Sequence, residues 1–315
     1  MSELIEKPVA AAIIRSLRRS FTRFPHVKRA ISALDRLYAY DCIDEEPEHM
    51  MLIGESGVGK STLLIRFRDL HPLVEHEEFT EIPVLYIKVT PSCTPRKLAG
   101  LLARALGSPF WNKGKEEELT DQVKCLLKAC KVKLVILDEA NHLVDRGGEK
   151  TQHNTADWIK TLSDDVHISF VLAGIPRIEK LNHTNDQLRG RFREVIRVHR
   201  FSIANESAEL EFRSVLAAFR KLLSDIPTVD FSEQGLAQKF AFATDGRLRE
   251  IRKLLVRAVE LAFEQEQPEI TTAVLEDAFR QVIYPEAPNH RNPFHRSFKL
   301  LPLTASREPF ERVDR

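Results

Sequence analysis

The spacing of apolar residues changes character once along the chain, near Phe201. Before that point five short apolar runs stand apart: HMMLIG (49–54), VLYIKVT (84–90), KLVILDE (133–139), ISFVLAGI (168–175) and EVIRVHRF (194–201). Stretches between them, such as TPRKLAGLLARALG (94–107) and LTDQVKCLLKACK (119–131), bring apolar residues back every three or four positions. Short apolar runs alternating with helical periods predict strands joined by crossover helices, hence a parallel sheet covered on both faces. The first three runs are almost unbroken in apolar residues, as doubly buried strands must be.

Beyond Phe201 the strand pattern stops. Residues 205–224, 232–243, 246–266 and 271–283 read as amphipathic helices, with Ser232 and Thr271 as N-caps and Pro227 and Pro268 as interruptions. The tail YPEAPNHRNPFHRSFKLLPL has no clear period; its Phe294, Phe298, Leu300 and Leu301 suit docking onto a partner or onto the protein itself. The expected division is a basic segment at 1–23, an α/β domain over 24–203, a helical domain over 204–284 and an extended tail over 285–315.

Composition narrows the class without naming it. A chain of 315 residues with 43% hydrophobic and 30% charged residues has the make-up of a soluble globular protein. Net charge is +1, so attraction to nucleic acid has to come from local patches. One lies at the N-terminus, where Lys7, Arg15, Arg18, Arg19, Arg23, Lys28, Arg29 and Arg36 face only Glu3, Glu6 and Asp35. Cys42, Cys93, Cys125 and Cys130 show no metal-binding spacing and read as reduced thiols. No run approaches the roughly 18 apolar residues of a membrane helix, so a cytoplasmic protein with no membrane partner is expected.

The chemistry concentrates in two motifs. GESGVGKS (54–61) follows an apolar run and opens a helical one, and it matches G-x-x-x-x-G-K-[ST] at every fixed position. Such a loop wraps phosphates with backbone N–H groups, aided by the helix N-terminus. Gly54, Glu55, Ser56, Gly57, Val58, Gly59, Lys60, Ser61 and Thr62 are therefore the expected nucleotide-binding residues, with Lys60 on the terminal phosphates and Ser61 on Mg²⁺. The third run ends in Asp138-Glu139. Asp138 is expected to hold the Mg²⁺ through water, and Glu139 to polarise the attacking water. A Glu at this place, with VLYIKVT as an extra strand between the two motifs, marks a hydrolase that carries its own base.

Phosphoryl transfer also calls for cations that stabilise developing charge. The candidates are Arg189, Arg191 and Arg193 in DQLRGRFREVIRV, and Arg249 in DGRLREIRKLL, which could reach the γ-phosphate of its own subunit or lie on a solvated helix face.

Taken together, the phosphate loop, the Asp-Glu strand end, the arginines before the fifth run and the G-x-x-R of a helical lid resemble the AAA+ ATPases. Within them, LIGESGVGKSTLL, LVILDEANHLV, DQLRGRFREVIRV and DGRLREIRKLLVRA resemble in order the blocks of the transposition regulators called TniB or TnsC. The segment FPHVKRAISALDRLYAY (24–40) resembles the one that leads into their ATPase core, and the resemblance spans roughly residues 20–283. It implies an AAA+ P-loop NTPase fold, a central five-stranded parallel sheet with a small all-helical lid. It implies an ATPase using ATP and Mg²⁺, slow and stimulated by assembly or DNA. Such proteins form rings or helical filaments on double-stranded DNA and recruit a TniA/TnsB-like transposase. Many work with a TniQ-like targeting protein, some in CRISPR-guided systems, and hydrolysis resets the polymer. The match assigns Arg191 as an arginine finger acting in trans and Arg249 as the lid's sensor arginine.

The chain departs from this pattern at one place. AAA+ proteins usually carry a polar residue at the end of the fourth strand, where FVLAGIP offers only Ala173, Gly174 and Ile175. Another residue then fills that role, or hydrolysis is slow. His142 reads as a coupling residue or a packing histidine. For DNA, the pore-loop candidates are Arg96 and Lys97 in PSCTPRKL and Arg146 and Lys150 in DRGGEK; each also reads as an ordinary solvated turn. Two other readings stand beside the first: a replication-initiator or helicase-loader relative, and a nucleotide-gated signalling module that never meets DNA. The tail beyond residue 285 is too short for the winged helix that an initiator would carry.

Overall fold

A computed structural model describes residues 2–20, 25–40, 46–144, 149–181, 191–192, 194–265 and 268–312. Contacts divide the chain into two units: Arg23–His199, and Met1–Thr22 together with Arg200–Arg315.

Helix α1 (Ser2–Arg19) belongs to the second unit; the first begins with α2 (Pro25–Ala39) and continues through β1 (Met50–Ile53), α3 (Lys60–Leu70), β2 (Val74–Glu75), β3 (Thr80–Glu81) and β4 (Val84–Lys88). Helices α4 (Pro95–Ala105) and α5 (Glu116–Ala129), strand β5 (Leu134–Asp138), helix α6 (Glu149–Val166), and strands β6 (Ser169–Gly174) and β7 (Glu194–Arg197) complete it. The five apolar runs are the five strands of one sheet, in the order β4-β5-β6-β1-β7, with parallel pairing throughout. The short β2 and β3 form a separate antiparallel pair.

Strands β1, β5 and β6 are buried along their whole length, which is why they read as continuous apolar runs. One face packs Met51, Ile53, Val135, Leu137, Phe170 and Leu172 against α4, α5 and α6. Helix α3 covers the other side, touching β4 and β6, with α2 beside it. At the outer strand, Arg36 of α2 holds the Glu194 carboxylate of β7 at 2.7 and 2.8 Å.

The second unit joins α1 (Ser2–Arg19) to four later helices, α7 (Glu206–Lys221), α8 (Gln234–Thr244), α9 (Leu248–Ala262) and α10 (Thr272–Val282). Helix α1 packs on α9, and Arg252 Nη2 donates to Ser20 O at 3.1 Å. The basic N-terminal segment is thus part of the helical unit, with Ile13 and Leu17 turned inward. Thr271 caps α10 by accepting from Val274 N, but Ser232 does not cap α8. Glu233 does, accepting from Gly235 N and Leu236 N, while the Ser232 hydroxyl donates to Asp230.

The tail after α10 is not a free extended arm. Phe294, Leu303 and Phe310 are buried, and Phe294 meets Phe240 and Phe279 edge-on, with Phe298 against Phe242. Arg291 and Glu308 form an ion pair, and Asn292 Nδ2 donates to Glu276 O. Aromatics without helical spacing therefore cover the helical unit itself, while Leu300 and Leu301 stay exposed.

Candidate functional site

The phosphate loop is shaped by glycines that nothing larger can replace. Gly57 and Gly59 have φ of 84° and 108°, in the left-handed region. Gly54 has a different constraint: a Cβ there would lie 2.3 Å from Val198 O, just past β7. Its N–H donates to Gly174 O at 3.1 Å, so the loop starts against the ends of both neighbouring strands. Helix α3 follows at Lys60, which leaves the first N–H groups of a helix beside the loop. Lys60 is buried, and its Nζ donates to Gly54 O and Glu55 O at 2.6 and 2.9 Å. Burial lowers its pKa, against the opposing pull of Asp138, Glu139 and Glu55.

Strand β5 delivers the acids to the same edge of the sheet. Asp138 is buried, with Oδ1 accepting from Glu139 N at 2.8 Å and Oδ2 from the Tyr86 hydroxyl at 2.7 Å. Tyr86 lies on β4, and burial together with Asp138 raises its pKa, so it stays a donor. Glu139 has φ 55° and ψ 35°, a left-handed conformation that costs a non-glycine residue about 1 kcal/mol or more. That turn takes the chain out of the strand and exposes part of the Glu139 side chain. Asn141, two residues on, is 4% exposed, and its Oδ1 has no hydrogen-bond partner.

Ser61 and Asp138 suit a magnesium ion. The carboxylate oxygens each accept one hydrogen bond and keep lone pairs for an ion's water, and Mg²⁺ is commonly held by one carboxylate plus phosphates. Among the described residues there is no group of three or more His, Cys, Asp or Glu placed to hold a metal.

Arg191 sits at the opposite edge of the sheet, before β7, where His49 N donates to its carbonyl at 3.1 Å. Its side chain is 10% exposed, ion-paired to Asp164 of α6 and, at 3.3 Å, to Glu46. The guanidinium expected to face a neighbour is thus clasped within its own unit. Arg189 and Arg193 lie outside the described residues. His49 is buried next to this pair; Phe170 N donates to its Nδ1, leaving the proton on Nε2, which faces Ser163 Oγ. Burial first, and Arg191 second, push its pKa down to about 3.

Arg249 belongs to the helical unit, where its Nε donates to Glu250 at 2.8 Å. It lines a cationic cavity of about 370 Å³ with Arg18, Arg252, Lys253 and Arg257. Of the DNA candidates, Arg96 donates to Asn112 O and Gly114 O, and Lys97 to Ser92 O, so both brace local loops. Arg146 and the Lys150 side chain lie outside the described residues. No helix among the described residues is long and apolar enough to cross a membrane.

Sequence reading missed Tyr86, Asn141 and His49. Tyr86 is the polar tip inside an apolar run, Asn141 the polar residue after Asp-Glu, and His49 the residue that opens the first run.

Comparison with known proteins bears on the family and the fold. The family described as "TniB: Bacterial TniB protein" matches residues 13–202. The CDC6 protein of Pyrobaculum aerophilum is similar in fold, with a TM-score of 0.61 at 19% identity over 86% of this chain and 72% of that one. The Aeropyrum pernix ORC1 protein, solved in complex with DNA, gives 0.60 at 16% identity over 82% of this chain. The match covers 65% of the ORC1 chain's own length. These likenesses and the five-stranded parallel sheet make the fold that of an AAA+ P-loop ATPase.

Proposed function

The chain belongs to the TniB family, and on that premise we propose that it is an ATPase that assembles on double-stranded DNA and regulates transposition. In this reading the ATP-bound chain forms a ring or helical filament and recruits and activates a TniA/TnsB-like transposase, with a TniQ-like protein as a further partner. Hydrolysis takes the polymer apart. The observation that carries the reading is the alignment of the glycine-bound phosphate loop with Asp138 and Glu139 at one sheet edge, in a chain of this family.

Lys60 trades the loop carbonyls for oxygens of the terminal phosphates. Ser61 and Asp138 would hold Mg²⁺, which would supply Lewis-acid neutralisation of phosphate charge. The Glu139 carboxylate takes a proton from water as the water oxygen bonds to the γ-phosphorus. The bond from that phosphorus to the bridging oxygen breaks, and its electron pair leaves with ADP. Tyr86 keeps Asp138 in place. Arg249 is assigned the sensor-arginine role that the family resemblance implies. A trans role for Arg191 requires its guanidinium to leave Asp164, which would tie the finger's release to subunit contact.

Electron microscopy of the protein with a DNA duplex, with and without a non-hydrolysable ATP analogue, tests the assembly. Rings or filaments that need both ligands are expected, and monomers under every condition would sink the proposal. Glu139→Gln is expected to keep ATP and DNA binding, lose turnover by about a hundredfold or more, and leave polymers that persist in ATP.

A further inference from the structure

Strand β6 ends beside the phosphate loop without a side chain. Gly174 closes that strand, and its carbonyl accepts the N–H of Gly54, the first residue of the loop. A Cβ at position 174 would lie 3.1 Å from both Asn141 N and Asn141 Oδ1 and 2.8 Å from Ile178 Cγ2. The room that a side chain from β6 would occupy is therefore shared by Ile178 and by the backbone N and carboxamide oxygen of Asn141, which reaches it from the turn after β5. That turn is set by the left-handed Glu139, two residues before Asn141.

Asn141 is 4% exposed and its Oδ1 has no hydrogen-bond partner. A buried amide oxygen left unpaired costs roughly 1–3 kcal/mol, so such a group in a folded protein calls for an explanation outside the fold. Leucine has nearly the same shape without the cost, and fits an apolar wall such as Ile178 better. An amide serves both ways in a hydrolytic site: its oxygen accepts a hydrogen from water and its NH₂ donates to a phosphate oxygen. Attack requires the water to be held by more than its base, because one bond to Glu139 leaves it free to rotate.

We propose that Asn141 is the second holder of the attacking water and γ-phosphate, working from the space that Gly174 leaves open. Glu139 accepts one proton of the water, and the Asn141 carboxamide fixes its other hydrogen and the phosphate oxygen beside it. Asn141 thereby fills the place for which positions 173–175 have no polar side chain. The inference rests on the ATPase reading.

The test compares Asn141→Leu and Asn141→Ala with the unaltered full chain and with Glu139→Gln. Both Asn141 variants are expected to lose kcat on the order of a hundredfold. Affinity for a fluorescent ATP analogue should stay within roughly threefold. The nucleotide-free Asn141→Leu protein should melt at the same temperature or higher, since an unpaired buried polar atom has gone. An Asn141→Leu protein with unaltered kcat overturns the proposal, as does one that loses melting temperature and analogue affinity together with kcat, the signature of a packing residue. The outcomes separate the two claims. If the unaltered chain turns over ATP and Glu139→Gln does not, while Asn141→Leu does, only this inference fails. If the unaltered chain binds ATP without turnover, the ATPase reading fails and takes the inference with it.

Discussion

At the scale of single residues, burial holds an ionisable side chain neutral near each of the two edges of the sheet. Near the phosphate loop it keeps Tyr86 protonated and aimed at Asp138. Under the opposite edge it keeps His49 neutral, wedged between Ser163 and the backbone of Phe170. His49 carries a pH dependence with a definite sign. Its pKa is about 3 in the folded protein and roughly 6.5 unfolded, so between those values the unfolded chain binds the extra proton. Stability is therefore full above pH ~6.5 and is lost as pH falls toward 3. Going from pH ~6.5 to ~5 should cost roughly 1.5 kcal/mol from this group. Urea unfolding across that range checks it, with His49→Gln as the control. The variant should be less stable at neutral pH, and its deficit should shrink as the solution is acidified.

At the scale of elements, the backbone approaches at Gly54 and Gly246 both require glycine. Gly54 sits under Val198 O, and Gly246, with φ 66°, would place a Cβ 1.9 Å from Phe201 O. The first ties the phosphate loop to β7, and the second ties the start of α9 to the segment that enters the helical unit. Gly54→Ala must push β7 away from β1, a strain of about 1–3 kcal/mol. The expected result is a lower melting temperature and at least a tenfold loss of ATP-analogue affinity, since the loop moves with its anchor. Unchanged affinity in a calorimetric titration would show that the loop adapts without β7. The clasp of Arg191 by Asp164 belongs to this scale too, because it joins α6 to the lead-in of β7.

At the scale of the whole molecule, the first helix and the described part of the tail both pack into the helical unit. Helix α1 lies on α9, and the tail covers α8 and α10 through Phe294. Truncating a buried phenylalanine to alanine typically costs 3–5 kcal/mol. Phe294→Ala should therefore lower the stability of the helical unit by about that much, visible as an earlier denaturation step and faster proteolysis between residues 200 and 312. A stable variant defective only in partner binding would instead assign Phe294 to recruitment. Exposed Leu300 and Leu301 are the tail residues with apolar surface left for a partner.

Much of this was legible in the linear order of residues. Doubly buried strands must be continuously apolar, so the five runs announced a parallel sheet, and a phosphate loop has so narrow a chemistry that its glycines and lysine appear at set intervals. Local capping was partly legible: Thr271 caps as its spacing suggests, while Ser232 yielded to Glu233, one residue nearer the helix. What the order of residues left open is every relation made across distance. Tyr86 meets Asp138 from 52 positions away, Asn141 reaches the room beside Gly174, and Arg191 finds Asp164. Periodicity reports which face of an element is buried, since that depends on near neighbours along the chain. Which polar atom meets which depends on strand register and order, and those arise only when the sheet is assembled.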